Sequence, residues 1–152
     1  MDVYVVSFEY RDLNLFKDAL KIRRNVFIEE QNVPEKIEID GHDNISVHFI
    51  IYIDDIPAGT CRTRRVDIGT WKLERFAVLK DFRTKGIGTE LIKSVENKAA
   101  NSGIKEIIMN AQSDAVEFYI KNGYRIISDE EFYEAGIRHL RMHKSIPKIT
   151  EN

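Results

Sequence analysis

Changes in the spacing of apolar and polar residues divide the chain into a series of strands and helices. Val3 to Tyr10 reads as a first strand. Leu13 to Glu30 follows as a helix with Leu13, Phe16, Leu20 and Phe27 near one face and Asp12 placed to cap its start. The run Val47-His48-Phe49-Ile50-Ile51-Tyr52-Ile53 is apolar almost throughout and predicts a strand buried on both faces. Asp54-Asp55-Ile56-Pro57 turns it into a partner beginning at Ala58-Gly59-Thr60, and Asp67-Ile68-Gly69-Thr70 turns the chain again into Trp71 to Leu79. The three strands form an antiparallel meander. Glu90 to Ala100 sets Leu91, Ile92 and Val95 against Lys93, Glu96 and Lys98, as an amphipathic helix does, and Asn101-Ser102-Gly103 ends it. A strand (Glu106 to Asn110), a short helix (Asp114 to Asn122) and two closing strands (Tyr124 to Ser128, Ile137 to Lys144) complete a mixed α/β sheet. Linkers, repeats and low-complexity tracts do not interrupt it, so residues 1–152 are expected to form a single domain.

Composition narrows the function. A chain of 152 residues that is 43% hydrophobic can bury a substantial core. Its net charge of −2 gives no basic field for nucleic acid, and its apolar runs fall short of a membrane span. The Met1-Asp2-Val3 start lacks the order of a signal peptide, which points to the cytoplasm. Cys61 is the single cysteine and is expected to be a buried strand residue; His42, Asp43 and His48 lack metal-ligand spacing, so no metal is expected.

The chemistry concentrates in Arg83-Thr84-Lys85-Gly86-Ile87-Gly88-Thr89, between the strand and the amphipathic helix. Gly86 and Gly88 allow close backbone approach, amides opening a helix favour an anion, and Arg83 and Lys85 add positive charge. A pyrophosphate cradle is the implied ligand site. Lys85 precedes the glycines, which excludes a Walker loop, and Leu91 stands where a dinucleotide fingerprint needs a third glycine. The pattern Arg83-x-x-Gly86-x-Gly88 resembles the signature of the GNAT superfamily of acetyl-CoA-dependent N-acetyltransferases. A second block, with Ala115, Phe118, Tyr119, Gly123 and Tyr124 after an apolar strand, is similar to that superfamily's Ala-x-x-Phe/Leu-Tyr-x-x-x-Gly-Phe/Tyr motif. Further segments, Arg24 to Pro34, Asn110-Ala111-Gln112 and Phe132 to His139, resemble a group of small bacterial GNATs whose acceptors are mostly unassigned.

The resemblance implies a GNAT fold across nearly the whole chain: a largely antiparallel sheet, splayed between its fourth and fifth strands and flanked by helices. It implies acetyl-CoA as co-substrate and direct attack by a primary amine in a ternary complex. Phe76, Ala77 and Val78 would border the pantetheine arm, with the Val78 amide facing the thioester oxygen, where a fixed donor is worth roughly 3–4 kcal/mol. Thr84, Ile87 and Thr89 would complete the cradle. Tyr119 would serve as general acid and also contact the cofactor; Phe118 beside it would pack. Gln112 stands where many relatives carry asparagine. The base would be His139, in a strand ending similar to His-x-x-Met, or Glu74, which strand alternation would put on the face of Phe76, or a water chain.

The acceptor is approached through charge. Glu29, Glu30, Glu35, Glu38, Asp40 and Asp43 crowd the loop expected to border its cleft and would attract a cationic amine, or else form a solvated acidic surface. Arg62 and Arg64 share a face, Arg65 takes the other, and the former pair would hold an anionic group if they face the cleft. A small-molecule amine is the expected acceptor. The alternatives are a protein or peptide amine and a regulatory module that binds acyl-CoA without turnover; a homodimer is one further option.

Overall fold

A computed structural model describes residues 1–149. Strand β1 (Val3–Glu9) leads to helix α1 (Leu13–Arg23), capped by the Asp12 carboxylate, which accepts a bond from the Leu15 amide at 3.4 Å. Instead of continuing to Glu30, α1 widens into a π-helical turn over Arg24–Glu30, and a short helix α2 (Glu35–Glu38) follows. The sheet then forms from β2 (Val47–Ile53), β3 (Ile56–Asp67) and β4 (Thr70–Val78). Helix α3 (Ile87–Asn101), β5 (Glu106–Gln112), α4 (Val116–Lys121), β6 (Arg125–Ile126), β7 (Phe132–Glu134) and β8 (Ile137–Ser145) complete the chain.

The strands form one sheet in the order β1-β2-β3-β4-β5-β8-β6, with β7 paired to β8. Only β4 and β5 run parallel, and they pair from Thr70–Glu106 to Leu73–Met109 and no further, whereas β5 stays on β8 as far as Gln112–His139. The sheet is therefore splayed between its fourth and fifth strands, beyond Leu73. Apolar residues fill both sides. Phe49, Ile51, Leu73, Leu91, Val95, Ile107 and Met142 bury one face beneath α3 and α4, and Ile50 and Tyr52 pack the other against Phe16, Ala19, Ile22 and Val26. Strand β2 is thus apolar on both faces because each faces a core.

A bulge in β4 decides which side chains enter the splay. Thr60 pairs with Ala77 and Arg62 with Glu74, so Arg75 and Phe76 together oppose Cys61, and Arg75 adopts the left-handed region at φ 56°. Alternation breaks there. Phe76 packs with Leu73 against the α3 core, while Glu74 stays on the opposite face with Arg62 and Arg64, which corrects the shared face expected for Glu74 and Phe76.

Smaller departures have local causes. Leu13 is exposed at the first turn of α1, and Arg23 takes a buried position instead. Asp54 and Asp55 both have positive φ, so the hairpin loop is two residues and β3 begins at Ile56. In the same way Ala135 and Gly136 turn β7 into β8, a hairpin without the usual sequence signal. Over Tyr124 to Ser128 only Arg125 and Ile126 pair as strand.

Candidate active site

A cleft of about 940 Å³ follows the splay from the start of α3 to the loop around α2. It is lined at one end by Thr84 and by Gly86 to Thr89, along its length by Phe76, Ala77 and Val78, and opposite them by Gln112, Tyr119 and His139. At the glycine loop Thr84 and Gly86 both have positive φ, and α3 starts without a side-chain cap. The first bond of that helix runs from the Glu90 amide to the Gly86 carbonyl at 3.1 Å, so the amides of Ile87, Gly88 and Thr89 lie in the first turn, where a helix has no internal acceptor for them. Lys85 is exposed at the rim.

Two residues of the loop act differently from the sequence reading. A β-carbon at Gly88 would lie 2.9 Å from the Phe118 ring, so this glycine makes room for Phe118 as well as for any ligand. Arg83 donates to both carboxylate oxygens of Glu30 at 2.8 Å and, through Nε, to the Val78 carbonyl at 2.8 Å. Its guanidinium therefore ties the glycine loop to the π-helical turn, which leaves Lys85 and the helix amides as the free positive groups of the cradle.

The Leu79 amide donates to the Ala58 carbonyl at 2.8 Å, towards β3, so the preceding amide, Val78, points the other way into the splay. Across the cleft Tyr119 is buried in an aromatic cluster with Phe76, Phe118 and Tyr124, at ring separations of 5.9, 5.2 and 6.0 Å. Burial raises the Tyr119 phenol above its ordinary range and keeps it protonated. Burial likewise pushes up the Cys61 thiol, which is almost wholly enclosed and unsuited to nucleophilic attack.

His139 is buried, stacked on Phe132, with Nδ1 2.7 Å from the Ile137 carbonyl. A carbonyl only accepts, so Nδ1 carries a proton, and Nε2 lies on the other side of the ring, 3.8 Å from Glu134. Gln112 exchanges two amide bonds with Gln31, at 2.9 and 3.3 Å, joining the end of β5 to the end of the π-helical turn. Glu74 lines the cleft but accepts from Arg64 at 2.7 Å and lies 3.4 Å from Arg62. Burial opposes its ionisation, yet those arginines outweigh it and hold the carboxyl below its usual range, which weakens it as a base.

Apart from the exposed Glu29, the acidic residues already meet arginines. Glu38 and Asp43 are buried and clamped by Arg23, Asp40 pairs with Arg62 and Arg75, Glu30 with Arg83, and Glu35 with Arg24. The sequence showed these acids but not the arginines that meet them from α1, β3 and β4. Although burial penalises the ionised forms, the arginines keep Asp40 and Asp43 below the normal carboxylate range. Burial also lowers His48, whose Nε2 lies 2.9 Å from the Asp43 carbonyl. Each of these groups binds its proton less readily folded than unfolded, so stability is present above the unfolded values and lost as pH falls. The midpoint of urea unfolding should stay level between about pH 6.5 and 8, decline gently below that range as His48 charges, drop steeply below about pH 4 as the carboxylates protonate, and fall again in alkali, where the buried Cys61 and Tyr119 oppose ionisation.

Comparison with known proteins agrees with this geometry. The family model described as an acetyltransferase (GNAT) domain matches residues 14–146. The chain belongs to the GNAT acetyltransferase family. It is 48% identical over 128 residues to YjcF of Bacillus subtilis, named as an uncharacterized N-acetyltransferase, covering 84% of this chain and 91% of that protein. YyaT of the same organism is 41% identical over 134 residues, covering 86% and 89%. Among solved structures the fold matches an acyl-CoA N-acyltransferase from Pseudomonas aeruginosa with a TM-score of 0.82 at 22% identity, covering 94% of this chain and 99% of that one. An aminoglycoside 6'-N-acetyltransferase complexed with coenzyme A matches with a TM-score of 0.77 at 16% identity, covering 97% and 99%. As a GNAT N-acetyltransferase the protein is an acyltransferase that draws its acyl group from a CoA thioester. Among the described residues no helix is long and apolar enough to cross a membrane.

Proposed function

We propose that this GNAT enzyme transfers the acetyl group of acetyl-CoA to the primary amine of a small molecule by direct attack in a ternary complex. The observation that carries the reading is the splay itself: the Val78 amide, the Tyr119 phenol and the His139 imidazole border one cleft that begins at the uncapped start of α3. In this account the amides of Ile87, Gly88 and Thr89, with Lys85, hold the pyrophosphate, and β4 from Phe76 to Val78 lies along the pantetheine arm. His139 Nε2 takes a proton from the incoming ammonium group, freeing the lone pair that attacks the carbonyl carbon. The Val78 amide stabilises negative charge as it develops on the thioester oxygen. As the carbon–sulfur bond breaks, the Tyr119 hydroxyl gives its proton to the departing sulfur, and the second proton lost by the nitrogen as the amide forms restores the phenol. Gln112, held by Gln31, positions the end of β5 beside the acyl group.

The test is thiol release from acetyl-CoA across a panel of amines, with His139→Gln beside the wild type. The variant should lower kcat/KM roughly 10²–10⁴-fold and change the shape of the pH–rate profile. A pH profile identical in both proteins would exclude His139 as the base.

A further inference from the structure

We infer that Arg64, Lys72 and Arg141 form an anion site that holds a carboxylate or phosphate group of the acceptor. This rests on the transfer reading for the identity of the bound molecule, while the site itself stands on separate observations. A pocket of about 360 Å³ lies beside the cleft on the sheet face that carries Gln112 and His139, and shares Lys72, Met109 and Asn110 with it. Arg64 pairs with Lys72 across β3 and β4, and Asn110 pairs with Arg141 across β5 and β8, so three cations from three strands converge there.

Their negative partners are too few. Glu74 alone meets Arg64 at 2.7 Å and Lys72 at 3.7 Å, and the same carboxylate lies 3.4 Å from Arg62. Arg141 is exposed, with its guanidinium 5.1 Å from the Phe132 ring centre and no carboxylate within salt-bridge distance among the described residues. Asp40 and Asp43, which could otherwise balance the site, are held by Arg62, Arg23 and Arg75. The small pocket is therefore lined by three cations and no carboxylate, and Glu74 alone meets two of them.

Distance sets the size of the ligand. His139 and Arg141 are two residues apart on one face of β8, about 7 Å along the strand. Neighbouring positions on one face suit the two ends of one short molecule, such as an amino acid or aminoalkyl phosphate, with its amine at His139 and its anion at Arg141. No acidic residue lines the small pocket to meet a second cation.

The test is a heteronuclear NMR titration of the full chain with γ-aminobutyrate, its neutral primary amide, and inorganic phosphate, alongside thiol-release kinetics. The carboxylate probe and phosphate should shift the backbone amides of Lys72, Asn110 and Arg141, the neutral amide should not, and the double variant Lys72→Ala with Arg141→Ala should lose the response. In turnover, amines bearing an anionic group should show a KM about tenfold or more below that of neutral analogues. Equal shifts from the neutral probe, or an unchanged response in the double variant, would overturn the assignment. Anion-dependent shifts without thiol release from any amine would leave the anion site standing and remove the transfer reading.

Discussion

Tyr119→Phe should lower kcat roughly 10²–10⁴-fold while leaving acetyl-CoA affinity nearly unchanged. The substitution removes one oxygen and keeps the ring that packs between Phe76, Phe118 and Tyr124, so the wall of the cleft survives. No protein group among the described hydrogen bonds engages the Tyr119 hydroxyl, and burial keeps it protonated through the neutral range. Those are the properties required of an acid that meets a thiolate as it forms. The check is steady-state thiol release combined with a direct binding titration. An unchanged kcat would mean that solvent protonates the sulfur and that Tyr119 is a packing residue.

Arg23→Ala should cost about 3–5 kcal/mol of stability, a large share of the 5–15 kcal/mol typical of a folded domain. Arg23 is 1% exposed and donates to Glu38 at 2.6 and 3.1 Å and to Asp43 at 2.7 and 3.3 Å. Its removal strands two buried carboxylates. The damage should also reach the cleft, because Glu38 presents its carbonyl to Arg75 at 3.0 Å and so anchors the left-handed bulge of β4. Urea unfolding measures the loss, and Arg24→Ala, at the exposed neighbouring position, gives the comparison: it should stay within about 0.5–1 kcal/mol of the wild type. Equal losses from both would contradict the role assigned to the buried cluster.

The glycine loop and most of the order of strands and helices were legible in the sequence because each has a local signature, turn residues, a change of period or the spacing of Gly86 and Gly88, whereas the splay has none and followed only from the resemblance to GNATs. The β4 bulge was not. A non-glycine residue with positive φ leaves no mark in an alternating pattern, so Glu74 and Phe76 looked like neighbours on one face when they lie on opposite ones. The π-helical turn was hidden for a similar reason, since the same apolar residues fit an ordinary helical period over so short a span. Charge was the least legible property. Glu38, Asp40 and Asp43 stand close in sequence, whereas Arg23, Arg62 and Arg75 reach them from three separate elements, and only the fold shows that the cluster is neutralised. The contact of Phe118 with Gly88 joins α4 to α3 and depends on the same long-range placement. Neither the contact of Gln31 with Gln112 nor the place of Arg141 beside Asn110 was marked in the sequence, because each depends on what the sheet and the π-helical turn put together.

The proposed transfer depends on the start of α3 holding the pyrophosphate of acetyl-CoA. Gly88→Asp would confuse charge with a clash at Phe118, so the informative variant is Lys85→Glu, at an exposed site on the rim. A calorimetric titration with acetyl-CoA should give micromolar binding to the wild type and affinity weakened by about tenfold or more in Lys85→Glu, with the difference shrinking at high salt. Absence of binding by folded wild-type protein, or equal affinity in the two proteins at low salt, would contradict the cradle and the account built on it.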